Sequence, residues 1–300
     1  MRVLVTGADG ATARYLSQYI LAEHANVAEV YGYTRESADL SIMHDAINAI
    51  KAVEPDLVFH LAGRTRIAES FERPAPFFRD NTLGTLNLLE AVRHFSPKAK
   101  VLVTSTCEVY GITNFNAIDE RYPFAPASPY AASKAAADLT ALMYAHTHKL
   151  HVVVSRLFNL INPRAEHLFS SSFARQVAEI EIGQRKELTH GNLSSARTLL
   201  DVRDVVRAYW MLLEKGTPGE AYNIGAAEEV TLSRFIDALA RKATCYIPLR
   251  LDPALVRPVD IPTQIANSKK FLLTTGWGPR YSLDESIDFL LNHWRRNVSK

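Results

Sequence analysis

The sequence predicts an α/β protein, a doubly wound parallel sheet with a smaller α/β lobe at the C-terminal end. Three observations carry this expectation. Over the first two thirds, short apolar runs alternate with longer helical patterns, the rhythm of crossover units. The runs are rich in Val, Leu and Phe with little alternation, as strands covered on both faces should be. The first run also stops at a glycine turn that opens a helix pattern.

In chain order, strands are expected at Arg2–Thr6, 27–33, 56–60, 100–104 and 152–157. Helices fit between them at Ala11–Glu23, 44–53, 77–94 and Pro129–His148; Asn87-Leu88-Leu89-Glu90-Ala91-Val92 shows the amphipathic spacing well. After Asn159 the rhythm changes. Residues 163–172 read as loop, 173–182 and 201–214 as helices, and 221–225 as one more strand ending at a glycine. Prolyl turns at Pro253, Pro258 and Pro262 precede a closing amphipathic helix at 282–294. There is no repeat or low-complexity tract, so the second lobe is built from insertions and the C-terminal end.

Three hundred residues, 47% hydrophobic and 22% charged, suit two lobes sharing a cleft and exclude disorder or a collagen-like chain. The 34 basic and 32 acidic side chains nearly cancel, leaving a formal charge of +2 and no basic block. Nucleic acid as the main partner therefore has no electrostatic support, although a few arginines suffice for an anionic small molecule. Cys107 and Cys245 belong to no CxxC or CxxH pattern, so neither a zinc site nor a disulfide framework is expected. The apolar stretch at residues 1–6 is too short for a signal peptide or a membrane span. A reducing, cytoplasmic setting with no membrane partner follows as an expectation.

The stretch Val3-Leu4-Val5-Thr6-Gly7-Ala8-Asp9-Gly10-Ala11-Thr12-Ala13 reads as strand, turn and helix start. Gly7 permits the tight turn, Gly10 lets backbone approach a pyrophosphate, and the helix N-terminus supplies unpaired N–H donors. The spacing is G-x-x-G-x-x-A, with Ala13 where a third glycine often stands. These features point to a dinucleotide. A carboxylate after the second strand would hold the ribose 2′-hydroxyl, whereas an arginine would favour a 2′-phosphate. Arg35 occupies that place, so NADP(H) is favoured; the neighbouring Glu36 keeps NAD(H) open.

Tyr130 and Lys134 lie four apart on a predicted helix and so share a face. A lysine cation there is expected to lower the tyrosine pKa and make it a proton donor and acceptor near neutrality. A bare Y-x-x-x-K is otherwise one aromatic and one solvated charge. Here it follows a phosphate loop and a strand ending in Thr104-Ser105-Thr106.

Together these residues resemble the short-chain dehydrogenase/reductase superfamily, in its extended, Rossmann-type branch acting on nucleotide sugars. The resemblance also includes Asp39-Leu40, His60-Leu61-Ala62-Gly63, Asn81-Thr82-Leu83-Gly84-Thr85, Ser105-Thr106-Cys107-Glu108-Val109-Tyr110-Gly111 and Arg156-Leu157-Phe158-Asn159. It implies cofactor contacts from Gly7, Gly10, Ala11, Thr12, Arg35, Asp39, Leu40, Leu61, Ala62, Gly63, Asn81, Thr104, Tyr130, Lys134 and Leu157. It further implies that Thr106 bonds the reacting sugar oxygen beside Tyr130. The domain division that follows is 1–160 for the dinucleotide, with 198–225 returning to it, and 161–197 plus 226–300 for the nucleotide sugar.

Gly191-Asn192-Leu193, Arg197, Leu200-Asp201-Val202-Arg203-Asp204, residues 252–258 and Thr275-Gly276-Trp277 resemble the GDP-mannose dehydratase and GDP-6-deoxy-4-keto-mannose reductase group. By that likeness Arg197 and Arg257 would grip the diphosphate, since guanidinium forks match phosphate oxygens. Arg64, Glu108, Asn159, Phe169 and Asn192 would complete the substrate side. A 4,6-dehydratase of this group, or an epimerase, would use Glu108 as a base. Cys107 is a poor acid toward a leaving hydroxyl, which favours reduction of a 4-keto group with Tyr130 as proton donor. Two departures lie on the substrate side: Arg197-Thr198-Leu199 in place of R-D-[FW], and Leu160-Ile161-Asn162-Pro163-Arg164 after Asn159. Another 4-keto nucleotide sugar would fit them. A redox sensor that binds NADP without chemistry would be expected to lack Tyr130 or Lys134, and both are present. Apolar faces on helices 77–94 and Pro129–His148 suit a homodimer through a four-helix interface.

Overall fold

The computed structural model describes residues 1–113, 117–256 and 261–298. The first half runs β1 (Arg2–Thr6), α1 (Ala11–Glu23), β2 (Glu29–Tyr33), α2 (Met43–Val53), β3 (Leu57–His60), α3 (Ile67–Glu72), α4 (Pro74–Phe77), α5 (Gly84–Phe95), β4 (Lys100–Thr106), α6 (Pro129–His148) and β5 (His151–Leu157). Then come β6 (Leu160–Ile161), α7 (Phe169–Glu181), β7 (Leu188–His190), β8 (Ala196–Thr198), β9 (Leu200–Asp201), α8 (Val202–Lys215) and β10 (Ala221–Ile224). The chain closes with β11 (Glu229–Thr231), α9 (Leu232–Lys242), β12 (Leu249–Leu251), β13 (Thr263–Gln264), α10 (Lys269–Thr275) and α11 (Leu283–Val298).

Among the described residues, six strands form one parallel sheet in the order β2-β1-β3-β4-β5-β10. Successive side chains of β1 serve opposite faces, as strand geometry requires. Val3 and Val5 pack with Leu16 and Ile20 of α1 and Val205 and Leu212 of α8, while Leu4 packs with Ile50, Leu88 and Val92 of α2 and α5. Burying each such aliphatic side chain stabilises the fold by about 1.5–3 kcal/mol. The strand order reverses at β1, so the loops after β1 and β3 part and leave a crevice at their carboxyl ends. That crevice positions the site.

The second lobe packs α7, α9 and α11 around Phe173, Phe235, Leu239, Leu290 and Trp294. Its small sheet runs β11-β8-β13, with β8 antiparallel to β11 and parallel to β13. No helix among the described residues is long and apolar enough to cross a membrane.

Several boundaries differ from the sequence expectation. Residues 27, 28 and 56 lie outside their strands, β4 extends two residues to Thr106, and β5 begins at His151. The helix expected at 77–94 starts with α4 and passes through a π-helical turn, Phe78–Leu83, into α5. Part of the 163–172 loop is helical, because α7 begins at Phe169: Ser170 and Ser171 donate to the carbonyls of Leu160 and Pro163, and the Trp294 indole donates to Ser171. Tertiary bonds here outweigh the poor helix propensity of serine. Residues 226–300 do not all join the lobe, since Phe271 and Trp277 pack in the core under the main sheet.

Candidate active site

The turn after β1 is constrained by its neighbours. Gly7 has φ +69°, and a Cβ there would sit 2.8 Å from backbone atoms of Ala62 after β3. A side chain would therefore push apart the two loops that frame the crevice. Gly10 is the N-cap of α1, and no side chain caps this helix end. Gly7, Gly10, Ala11 and Thr12 line a cavity of about 520 Å³, and a second cavity of about 290 Å³ shares Gly7, Gly10, Leu61, Gly63 and Arg64 with it. The two adjoin along these residues.

The smaller chamber is walled by Arg35, Asp39, Leu40 and Ala62. Arg35 donates to Asp80 at 2.6 Å and to Asp39 at 3.2 Å. Asp80 also pairs with Arg64 and Arg79, and these bonds hold its carboxyl below the ordinary range although burial pushes the other way. Arg35 and Arg64 thus stand on this wall paired with acidic side chains, and Glu36 is exposed and outside the lining. Arg64 lines both chambers, with its guanidinium committed to Asp80 and Glu69. Asn81 is buried off the cavity wall: its amide bonds the backbone of Arg64 and the Ser133 hydroxyl, so it fixes the loop and α6 rather than facing the cleft.

Tyr130 and Lys134 project from the start of α6, where Ser128 accepts the Ala131 N–H and Pro129 takes the first turn. Both are buried, and both line the larger cavity with Thr104 and Thr106 from the end of β4, Leu157 from β5, and Glu108. Lys134 Nζ donates to the Thr104 carbonyl at 2.5 Å, and burial lowers its pKa to about 8, opposed by Asp138. Burial pushes the Tyr130 phenol well up, opposed by a hydrogen bond with Thr106. The expected depression by lysine is thus reversed, because desolvation of the phenolate prevails. A neutral O–H stands there at pH 7.

Past Thr106 the chain makes a short turn in which the Glu108 N–H is held by the Thr106 hydroxyl at 3.3 Å. Glu108 Oε1 accepts from Gln264 Nε2 at 3.1 Å, and Gln264 Oε1 accepts from Asn159 Nδ2 at 3.4 Å. Cys107 is buried on the cavity wall, and burial pushes its thiol up, so it is neutral. Arg197 lines the same cavity from β8 and donates to the carbonyls of Ala196 and Pro262. Phe169, seated edge-on to Phe173 and Phe235, and the exposed Asn192 complete that end. Arg257 lies outside the described residues.

Sequence reasoning missed Gln264 and the cavity-lining residues His167, which is exposed, and Tyr209, which is buried. None belongs to a motif. Gln264 enters through strand register, opposite Arg197 in the β13–β8 pair, which local spacing does not encode.

Comparison with known proteins accords with this arrangement. Residues 32–289 match the family described as GDP-mannose 4,6 dehydratase. A GDP-6-deoxy-D-mannose reductase from Pseudomonas aeruginosa is 34% identical over 99% of this chain and 98% of its own length. A GDP-mannose 4,6-dehydratase from Yersinia enterocolitica is 26% identical over 95% and 91%. The structure of RMD from Pseudomonas aeruginosa complexed with NADPH superimposes with TM-score 0.90 at 30% identity, covering 99% of this chain and 100% of that one. A Thermus thermophilus UDP-glucose 4-epimerase complex with NAD gives TM-score 0.87 at 28% identity, covering 98% and 99%.

Proposed function

Because the chain belongs to the GDP-mannose 4,6-dehydratase family, we propose that it is an NADP-dependent reductase of the 4-keto group of a GDP-linked 6-deoxy-4-keto-hexose. The observation that carries the reading is the buried Tyr130 beside Thr106 at the wall of the larger cavity, one helical turn from Lys134. Reduction of a ketone needs a proton donor at the nascent alkoxide, whereas a dehydratase must first oxidise its sugar and needs a base there. A tyrosine hydroxyl so placed serves the first task. The relative named GDP-6-deoxy-D-mannose reductase supports the same choice.

The chain fits the cofactor on its own geometry: the Gly7 cradle that a Cβ would fill, the uncapped start of α1 and the Arg35 guanidinium on the wall of the adjoining chamber. Gly7, Gly10, Ala11 and Thr12 would hold the pyrophosphate, and Arg35 the 2′-phosphate. Asp39, Leu40, Leu61, Ala62 and Gly63 would enclose the adenosine end, with Thr104, Lys134 and Leu157 toward the nicotinamide. Bound NADPH supplies hydride to the ketone carbon. Tyr130 gives its proton to the ketone oxygen, Thr106 donates a hydrogen bond to the same oxygen, and Lys134 keeps a positive charge beneath them. Arg197 and Arg257 would hold the diphosphate; Arg64, Phe169 and Asn192 would bound the rest of the substrate.

One assay tests the reading. With a GDP-4-keto-6-deoxy sugar, stoichiometric loss of the reduced-nicotinamide absorbance is expected. A new keto sugar formed from GDP-mannose with catalytic NADP, without net cofactor consumption, would overturn it. The dehydratase reading draws on Glu108, whose carboxylate shares the cavity with Tyr130. Glu108→Gln separates the two: loss of an essential base would cost about 10²–10⁴-fold in kcat, whereas a reductase should lose about tenfold or less.

Arg35→Ala is expected to raise the KM for NADPH by about tenfold to hundredfold, the scale of one charge-assisted bond. The KM for NADH should stay nearly constant. Equal changes for both cofactors would remove Arg35 from the discriminating role.

Exposed Phe78, Leu83, Leu139 and Met143 on the π-helical turn and α6 support a homodimer through these helices, which light scattering of the purified chain would check. The cysteines Cys107 and Cys245 are both free, which supports a reducing, cytoplasmic setting.

A further inference from the structure

Gln264 is buried, belongs to the second lobe's sheet, and yet bonds a side chain at the end of the main sheet. It sits where the lobe meets the dinucleotide half. Two residues beyond it, Ala266 forms a parallel bridge with Ile118; the Ile118 N–H donates to Ile265 and the Asn267 N–H to Ile118. On its other side β13 pairs with β8, placing Gln264 opposite Arg197. Backbone on both sides thus fixes its position.

The polarity of its contacts is also fixed. Asn159 Nδ2 donates to Gln264 Oε1, and Gln264 Nε2 donates to Glu108 Oε1. A flipped amide would set its carbonyl oxygen against a carboxylate and its N–H₂ against the Asn159 amide donor. Only the observed direction satisfies all three groups. Asn159 and Glu108 both line the cavity, and each keeps one oxygen outside this relay. Two acceptor-bearing side chains of the cavity wall are thus tied together through one amide, an arrangement suited to the hydroxyl donors of a pyranose.

We infer that Gln264 is a positioning residue, which fixes Glu108 and Asn159 as a paired acceptor for the sugar hydroxyls and so couples the substrate lobe to the catalytic end of β4. The inference rests on the reductase reading for its substrate, and on the hydrogen-bond relay for its geometry. Gln264 touches no reacting atom; it acts through the other two.

The test begins with the parent enzyme on GDP-4-keto-6-deoxymannose and NADPH. Gln264→Met keeps the volume and removes both bonds. It is expected to lower kcat/KM for the sugar by about tenfold to hundredfold, mainly through KM, with the KM for NADPH unchanged. In Glu108→Ala the same second substitution should cost several-fold less than in the parent, because only its effect through Asn159 remains. Gln264→Glu supplies a readout that bulk structure would not move. It sets two carboxylates side by side; a shared proton restores the bridge in acid, and its loss as pH rises drives them apart. Activity relative to the parent should thus fall by about tenfold or more as pH rises.

Parental kcat/KM in Gln264→Met, additive losses in the double variant, or a pH profile of Gln264→Glu parallel to the parent would each overturn the inference. A parent inactive on the keto sugar would instead overturn the reductase reading. A crystal structure of Gln264→Met then judges the relay: Glu108 displaced from its place supports it, and Glu108 unmoved sinks it. If Gln264→Met does not fold, the Gln264→Glu profile decides alone.

Discussion

Tyr130→Phe is expected to lower kcat by about 10³-fold while leaving NADPH affinity close to that of the parent. The substitution removes one oxygen and keeps a ring that packs edge-on against Phe77 at 6.4 Å. The helix start around it is secured without the phenol, because Ser133 donates to the Tyr130 carbonyl and Asn81 donates to Ser133. What disappears is the proton that must reach the ketone oxygen. Thr106 remains as a hydrogen-bond donor, so a residual rate is expected. Cofactor affinity measured by fluorescence and turnover measured by nicotinamide absorbance separate the two effects. Retention of a tenth of parental kcat would remove Tyr130 from the proton-donor role, and a parent with no turnover on any nucleotide sugar would favour a sensor. In the parent, kcat should decline as pH rises through about 8, where Lys134 loses its proton and the charge beneath the phenol with it. Lys134→Met should abolish that limb of the profile.

The second large effect is on stability. Arg156 on β5 faces Asp138 on α6 in a two-bond fork, 2.9 Å from Nε and 3.0 Å from Nη2, with both side chains buried. The third guanidinium nitrogen donates to the Tyr110 hydroxyl and the Glu120 carbonyl, and Tyr110 in turn donates to Asn223 on β10. Arg156→Met leaves a carboxylate stranded in the core and Tyr110 and Glu120 without their donor. The expected cost is about 3–5 kcal/mol, the scale for breaking one side of a buried ion pair. The paired change Arg156→Met with Asp138→Leu should recover much of this, since no charge is then left behind. Urea unfolding of the three variants checks both statements. A loss below about 1 kcal/mol for Arg156→Met would mean that water or a rearranged side chain relieves Asp138.

Local signals made much of this legible from the sequence. Both ends of α1 and α6 match the expected ranges, because Gly10 opens one helix and Ser128-Pro129 the other within a few residues. Gly7, Tyr130 and Lys134 were found for the same reason, since turn chemistry and helical spacing are written over short distances, whereas Thr106 and Glu108 came from the family resemblance. The π-helical turn was not, because no local signal in 77–94 marks a change from i→i−4 to i→i−5 backbone bonding. Tyr130 kept its place but reversed its expected pKa shift: burial, which spacing does not measure, outweighs the neighbouring lysine. Arg156 was visible as part of a motif, whereas its pairing with Asp138 joins a strand to a helix across the sheet. Gln264 left no trace, because its partners Glu108 and Asn159 lie more than a hundred residues away.

The second lobe consists of separate stretches around α7, around α9 and β13, and at α11, between which the chain goes back to the main sheet with α8, β10 and α10. Changing what sugar such a protein accepts by transplanting a piece from a relative would therefore require several splices made together. A single-crossover hybrid would mismatch the seam at Ile118 and Ala266. Point substitutions inside the cleft are the shorter route to new specificity for this architecture.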